Sequence, residues 1–255
     1  MFRSPGVRPG GAPPVTRGDA HGIQIRDVWL NRGPTPLFCG LSLDLTEPRI
    51  GLVGPNGSGK STLLRLLNGL MAADRGDITV AGLNARTHRR DLPTRVGFVF
   101  QNVDHQILFP TVREELTFGL VEQGRSRAEA REEAERLLAL HGCGDWGDRA
   151  VDALSEGQKQ LVCILAAIAP GPPILVMDEP LASLDLATRL ALAARLARLP
   201  HQIIMASHDL DLLATFDRVI WLDAGRIVGD GSPGEVLPLY RAHEMARAAA
   251  QDTLS

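Results

Sequence analysis

The stretch Gly54-Pro55-Asn56-Gly57-Ser58-Gly59-Lys60-Ser61 constrains this 255-residue chain more than any other. It has the form G-x-x-x-x-G-K-S, the phosphate-binding P-loop, and its flanks suit that motif. Ile50 to Val53 is a short apolar run fit for a buried strand. Thr62 to Gly69 is a helix-forming run that stops at a glycine. Glycines let the backbone approach phosphate oxygens with no Cβ in the way. The amide N–H groups converge as an anion nest, and the helix start adds a partial positive charge. Gly54, Pro55, Asn56, Gly57, Ser58, Gly59, Lys60, Ser61 and Thr62 are therefore the expected triphosphate cradle. Lys60 supplies a point charge for the β- and γ-phosphates, and Ser61 a hydroxyl for Mg²⁺.

Asp178-Glu179 follows a second apolar run, Ile174 to Met177. In an open parallel sheet, ligands sit at the carboxyl ends of the strands, so this pair belongs beside the P-loop. Asp178 is expected to hold Mg²⁺ through water together with Ser61. Glu179 is expected to polarise the attacking water as general base. Gln101 and His208 close two further apolar runs and should open onto the same crevice, within reach of a γ-phosphate. Ser155 and Gln158 form the S-x-x-Q pattern of a capping box. Many helices begin in that way. Gly157 inside the first turn is the odd choice, because glycine weakens a helix, and it makes sense if a phosphate approaches this helix start. The chain thus has two phosphate-seeking helix starts, and residue chemistry alone does not say whether they share one nucleotide.

The strand-like and helix-like runs alternate, which implies a largely parallel sheet with right-handed crossovers. Ile23 to Val28 and Leu41 to Leu45 read as two strands ahead of the P-loop, joined by a turn-like linker over 31–36. Ile78 to Val80 and Val96 to Phe100 read as further strands. Residues 101–153 are rich in Glu, Arg, Ala and Leu and read as a helical insertion, extending to 169. Ile203 to Ala206 is a strand, Asp209 to Phe216 a short helix capped by Asp209 or Ser207, and Asp223-Ala224-Gly225 a hairpin turn. The expected boundaries are a flexible tail over 1–20, a nucleotide domain over 21–240 and a C-terminal tail over 241–255.

Composition excludes some classes. The formal net charge of −3 gives no global basic field for nucleic acid, and the cluster Arg86, His88, Arg89, Arg90 reads as a solvated loop. The longest uninterrupted apolar run, Leu161 to Ala169, is too short to cross a bilayer, so any membrane role has to go through a partner. Cys39, Cys143 and Cys163 show neither metal spacing nor a disulfide framework, which suits a reducing cytoplasm.

The order of motifs resembles the nucleotide-binding subunit of ATP-binding cassette (ABC) transporters, over about residues 23–240. Gln101 stands where that family has its Q-loop, Leu154 to Gln158 the signature, Ile174 to Glu179 Walker B, Ser183-Leu184-Asp185 the D-loop and His208 the switch histidine. The resemblance implies an α/β P-loop NTPase of the ABC cassette type, with a mainly parallel sheet, an antiparallel β subdomain and a helical subdomain. It implies ATP and Mg²⁺ as ligands, with Gln101 joining Ser61 and Asp178 at the metal. Glu179, His208 and Gln101 are its catalytic residues. It also implies a head-to-tail dimer in which ATP lies between the P-loop of one chain and Ser155, Gly157 and Gln158 of the other.

A narrower resemblance lies in Val99 to Ile107 followed by Phe109 to Leu116. These segments are similar to the region of energy-coupling factor (ECF) transporter ATPases that receives a coupling helix of the transmembrane T component. The resemblance implies partnership with that T component and a substrate-binding S component, at the cytoplasmic face of the cell membrane. Asp104, Gln106, Glu114 and Glu115 would offer polar and acidic contacts to the helix. Thr46 to Ile50 and Asp209 to Leu212 are similar to the ATPases of dedicated biotin transporters, with cobalt or nickel uptake as the next alternative. Homodimer and paired ATPases both remain open. The departures are Val103 for a usual proline, Glu156 for a usual serine or glycine, and Lys159-Gln160 for Gln-Arg. Arg32 stands where the family often has an adenine-stacking aromatic, with Trp29 placed too early. A soluble cassette protein acting on ribosomes or DNA usually carries two cassettes or a long coiled-coil insertion; this chain has one cassette.

Overall fold

The structure is a computed structural model and describes residues 22–252. The tail expected over 1–20 lies outside them. Two sheets and a helical block are built around the P-loop. The first sheet is antiparallel, in the order β2-β1-β4-β5, from β1 (Ile23–Arg32), β2 (Thr35–Leu45), β4 (Arg75–Val80) and β5 (Leu83–Asn84). Alternation in β2 buries Leu41, Leu43 and Leu45 on one face, as a half-buried strand requires. The expected linker shortens to a tight turn, because β1 runs to Arg32 and β2 begins at Thr35, with Gly33 at φ +62°.

The second sheet has six strands. Its members are β3 (Arg49–Val53), β6 (Val96–Val99), β7 (Ile174–Asp178), β8 (Gln202–Ala206), β9 (Arg218–Asp223) and β10 (Arg226–Gly231), in the order β10-β9-β3-β8-β7-β6. All neighbours are parallel except the β9–β10 hairpin. Ala224 at φ +45° and Gly225 at φ +73° make its two-residue turn, the backbone that matches strand twist. Ile174, Val176, Ile50, Leu52, Ile204 and Leu222 are buried below one-tenth exposure, as expected of central strands covered on both faces.

Helix α1 (Lys60–Leu67) leaves the P-loop and lies on this sheet through Leu63, Leu64, Leu66 and Leu67. The insertion forms α2 (Val112–Glu122), α3 (Arg127–Leu140) and α4 (Glu156–Ile168). Its helices share a core of Val112, Leu116, Leu138, Leu161 and Leu165, continuous with Leu175 and Met177 of β7. Helix α5 (Leu186–Ala197) and the single turn α6 (Leu210–Leu213) follow β7 and β8. The last element, α7 (Pro233–Asp252), is helical straight through residue 240, so the expected domain end falls inside a helix. Its buried Val236, Leu237 and Tyr240 pack on Val53, Val219 and Trp221.

Candidate nucleotide-binding and catalytic site

The site stands at the carboxyl edge of the parallel sheet. Parallel register places Val53 beside Trp221, Leu52 beside Ala206, and Asp178 beside Ala206, so the residues following β3, β7 and β8 emerge side by side. Gly54 at φ +147° and Gly59 at φ +111° take backbone that side-chain residues rarely adopt. A Cβ on Gly54 would lie 2.0 Å from the Leu222 carbonyl oxygen, so that position admits only glycine. The resulting turn ends on the N-terminus of α1.

Lys60 is buried and donates through Nζ to the carbonyls of Gly54 at 2.6 Å and Pro55 at 3.2 Å. Burial pulls its pKa down, while the carboxylates of Glu179, Asp178 and Glu244 oppose that shift. Ser61 Oγ donates to Asp178 Oδ1 at 2.9 Å, a hydroxyl and a carboxylate brought together from α1 and β7. This donor pair fits Mg²⁺, which usually takes one or two protein oxygens and completes its shell from phosphates and water. Ser58 Oγ is buried and, among the described residues, has no hydrogen-bond partner. That leaves a donor in the loop free for a phosphate oxygen.

Glu179 follows directly. It is a non-glycine residue at φ +50°, a conformation costing about 1–3 kcal/mol and kept where its surroundings hold it. Its Oε2 accepts from the His208 backbone N–H at 3.2 Å, and its Oε1 lies 3.2 Å from His208 Nε2. Both residues line a cleft of about 430 Å³ with Ser207 and Asp209. A carboxylate fixed in this way can take a proton from a water beside it, and the adjoining imidazole can hold or relay charge.

A neighbouring cleft of about 350 Å³ is lined by the P-loop, Arg32, Leu37, Arg65 and Met71. Arg32 thus lies beside the P-loop. Trp29 does not line the cleft, and its ring N–H donates to Asp27 Oδ1. Leu37, Arg65 and Met71 had no signal in the sequence, since they reach the cleft from a strand, a helix flank and a loop. Tyr240 and Glu244 were missed for a similar reason: α7 returns from the far end of the chain to the P-loop. Burial raises the Tyr240 pKa, and a hydrogen bond with the Gly54 backbone pulls the other way.

Gln101 is exposed just beyond β6, which pairs with β7 through Val99 and Met177. Ser155, Gly157 and Gln158 line neither cleft. The capping box is present: Ser155 Oγ accepts from the Gln158 N–H at 3.4 Å, and Gln158 Oε1 accepts from the Ser155 N–H at 2.9 Å. Gly157 has a second, purely steric reason, because a Cβ there would meet Thr188 Cγ2 at 2.2 Å. Glu156 is exposed, and Lys159 reaches it at 3.5 Å.

Two of the four polar contacts expected for a partner helix are already committed. Glu115 is buried, and its Oε2 accepts from the N–H groups of Leu108 and Phe109 at 2.9 and 3.0 Å. Gln106 accepts from the Phe100 N–H at 3.0 Å and donates to the Cys163 carbonyl at 3.1 Å. Asp104 and Glu114 stay exposed. Among the described residues, no helix is long and apolar enough to cross a membrane.

A glycine-rich turn on a helix start, an ammonium, and a hydroxyl–carboxylate pair at the mouth of a parallel sheet define a P-loop nucleoside triphosphatase. The family model for ABC transporters matches residues 40–182, more than half of the chain. The biotin transport ATP-binding protein BioM of Rhodobacter capsulatus is 46% identical over 228 residues, covering 89% of this chain and 97% of that one. The BioM protein of Rhizobium etli is 37% identical, covering 86% and 97%. Among solved structures, cbiO1 of Clostridium perfringens, part of the ABC transporter complex cbiONQ, superposes with a TM-score of 0.77 at 27% identity, over 86% of this chain and 92% of that one. The chain belongs to the ABC transporter family, as an ATP-binding subunit with ATPase activity.

Proposed function

We propose that this subunit energises an ECF-type importer, and that the imported solute is biotin. The observation that carries the proposal is the 46% identity to a biotin transport ATP-binding protein along 89% of the chain. The likeness to cbiO1, part of a transporter complex, supports assembly with membrane components. In this reading the protein lies on the cytoplasmic face of the membrane and docks a transmembrane T component through the surface carrying Asp104 and Glu114. The solute is chosen by a separate S component.

ATP is held by Gly54 to Thr62, with Lys60 on the β- and γ-phosphates. Mg²⁺, held by Ser61, Asp178 and Gln101, would offset phosphate charge in the transition state. Glu179 takes the proton of the attacking water, and His208 orients Glu179 and contacts the γ-phosphate. Two chains pair head to tail, and Ser155, Gly157 and Gln158 of one chain close the nucleotide of the other. Their absence from the clefts of their own chain supports that pairing.

The test is affinity capture of the tagged chain from detergent-solubilised membranes, with its partners and bound small molecules identified by mass spectrometry. One T-like and one small S-like membrane protein with biotin are expected. Another solute bound to the S-like protein would replace biotin, and ribosomal proteins without membrane proteins would overturn the transport reading. In a parallel assay, Glu179→Gln is expected to lose about 10²- to 10⁴-fold in hydrolysis while still binding ATP, the usual loss for a general base. Wild-type turnover in that variant would remove Glu179 from the role.

A further inference from the structure

At the end of the parallel sheet opposite the nucleotide clefts, a cleft of about 770 Å³ opens between α3, α4 and α5. That volume suits one small organic ligand. Its apolar lining includes Leu137, Ile168 and Leu199, each less than one-tenth exposed. Four arginines, Arg125, Arg136, Arg195 and Arg198, meet a single acid, Glu133, in the same lining. Glu133 is already taken by Arg136. Arg195 donates to the His141 carbonyl at 2.5 Å. Arg198 has no hydrogen-bond or ion-pair partner for its side chain among the described residues. The cleft is therefore apolar inside with uncompensated positive charge at its rim.

The wall at Leu199–His201 is held in place before any ligand arrives. Arg49 donates to the carbonyls of Leu199 and His201, both at 2.6 Å. A preformed wall reduces the ordering cost of binding. His201 keeps a buried Nδ1 with no partner among the described residues, a further polar atom at the cleft. Burial lowers the pKa of both His141 and His201, and the adjacent Arg195 and Arg49 lower them further, in keeping with a positive local field.

We propose that this cleft binds a soluble organic anion with an apolar body and a carboxylate-type head, the body on Leu137, Ile168 and Leu199 and the head on Arg198. Because α3 and α4 belong to the helical insertion and α5 to the core, such a ligand would bridge the two. The site is separate from the P-loop and needs no assumption about the transported solute.

The experiment is isothermal titration of the full chain with decanoate, with decanol as the uncharged control. Two variants accompany it: Arg198→Glu, and Ala194→Trp, which fills the cleft from an exposed position on α5. Saturable one-to-one decanoate binding is expected, with decanol much weaker. Arg198→Glu should weaken binding roughly tenfold, the worth of one charge-assisted hydrogen bond. Ala194→Trp should abolish it, and ATP affinity should be unchanged in both. No decanoate binding to the wild-type chain overturns the proposal. Equal binding by Ala194→Trp with an unaltered melting profile does so too. Flotation with phosphatidylglycerol vesicles in the absence of decanoate binding would also overturn it, in favour of a membrane surface.

Discussion

Gly157 carries two explanations that experiment can separate. A glycine in the first turn of α4 leaves room for a phosphate, and it also leaves room for Thr188 Cγ2, which an added Cβ would meet at 2.2 Å. Gly157→Ala is expected to destabilise the chain by about 1–3 kcal/mol, the usual cost of overpacking. Thr188→Ser removes the clashing methyl and keeps the hydroxyl that donates to Asp185 Oδ2 at 2.6 Å, so the double variant should recover most of the loss. Thermal unfolding checks both. If Gly157→Ala keeps wild-type stability, the steric reading is wrong. If the double variant regains stability but not ATP turnover, the phosphate reading gains. The sequence could pick out Gly157 as unusual but could not supply its neighbour, because Thr188 lies on another helix. The P-loop was legible for the opposite reason: its turn, its charge and its helix start are consecutive residues.

The elements divide on the same principle. Strands β3, β6, β7 and β8 show as apolar runs, and the hairpin at Ala224-Gly225 as a turn signal, so the parallel sheet could be anticipated from local pattern. The resemblance to ECF transporter ATPases implied Glu115 and Gln106 at a docking surface. Instead they tie the segment before α2 to itself and to α4. Capture of loop amides by a carboxylate leaves no periodic trace. Helix α7 is the other case. Pro238 and a polar stretch after Tyr240 disguise a helix that runs to Asp252. Its inner face buries Tyr240 against Trp221, with ring centroids 5.5 Å apart, and against Val53 at the end of the P-loop strand. Tyr240→Ala is expected to cost about 3–5 kcal/mol, as for other large aromatic truncations, and to weaken ATP binding by loosening Val53. Tyr240→Phe keeps the packing and should retain most of the stability. Denaturant unfolding and nucleotide titration of the two variants check this. Equal ATP affinity in Tyr240→Ala would detach α7 from the site.

At the scale of the whole molecule, polar side chains join the two sheets: Gln202 of β8 donates to the Leu45 carbonyl of β2 at 3.1 Å, and Arg218 makes a larger clamp. Arg218 begins β9. It donates to the Asp44 carbonyl at 2.8 Å and to Glu47 Oε2 at 3.0 Å, at the end of β2 and the turn before β3. It also reaches Asp230 of β10, at 2.6 and 2.7 Å. The Asp230 hydrogen bonds lead in holding the guanidinium more firmly protonated than usual. Burial pushes the Glu47 carboxyl up, but hydrogen bonds from its own backbone N–H, Arg218 and Thr46 outweigh that and hold it below its ordinary value of 4.5. A carboxylate with a depressed folded-state pKa stabilises the fold above its unfolded-state value, and that contribution is lost as pH falls through the folded-state value. The clamp should therefore weaken only in acid, below the ordinary carboxylate range. Glu47→Gln cannot titrate, so its stability should fall less steeply than wild type between about pH 5 and pH 2. Arg218→Ala leaves Glu47 without its cation and should flatten the same region, at lower stability throughout. Urea unfolding at several pH values gives the profiles. If all three run parallel, Arg218 is a bystander, and the antiparallel sheet is held to the parallel sheet by apolar packing and the Gln202 hydrogen bond to the Leu45 carbonyl.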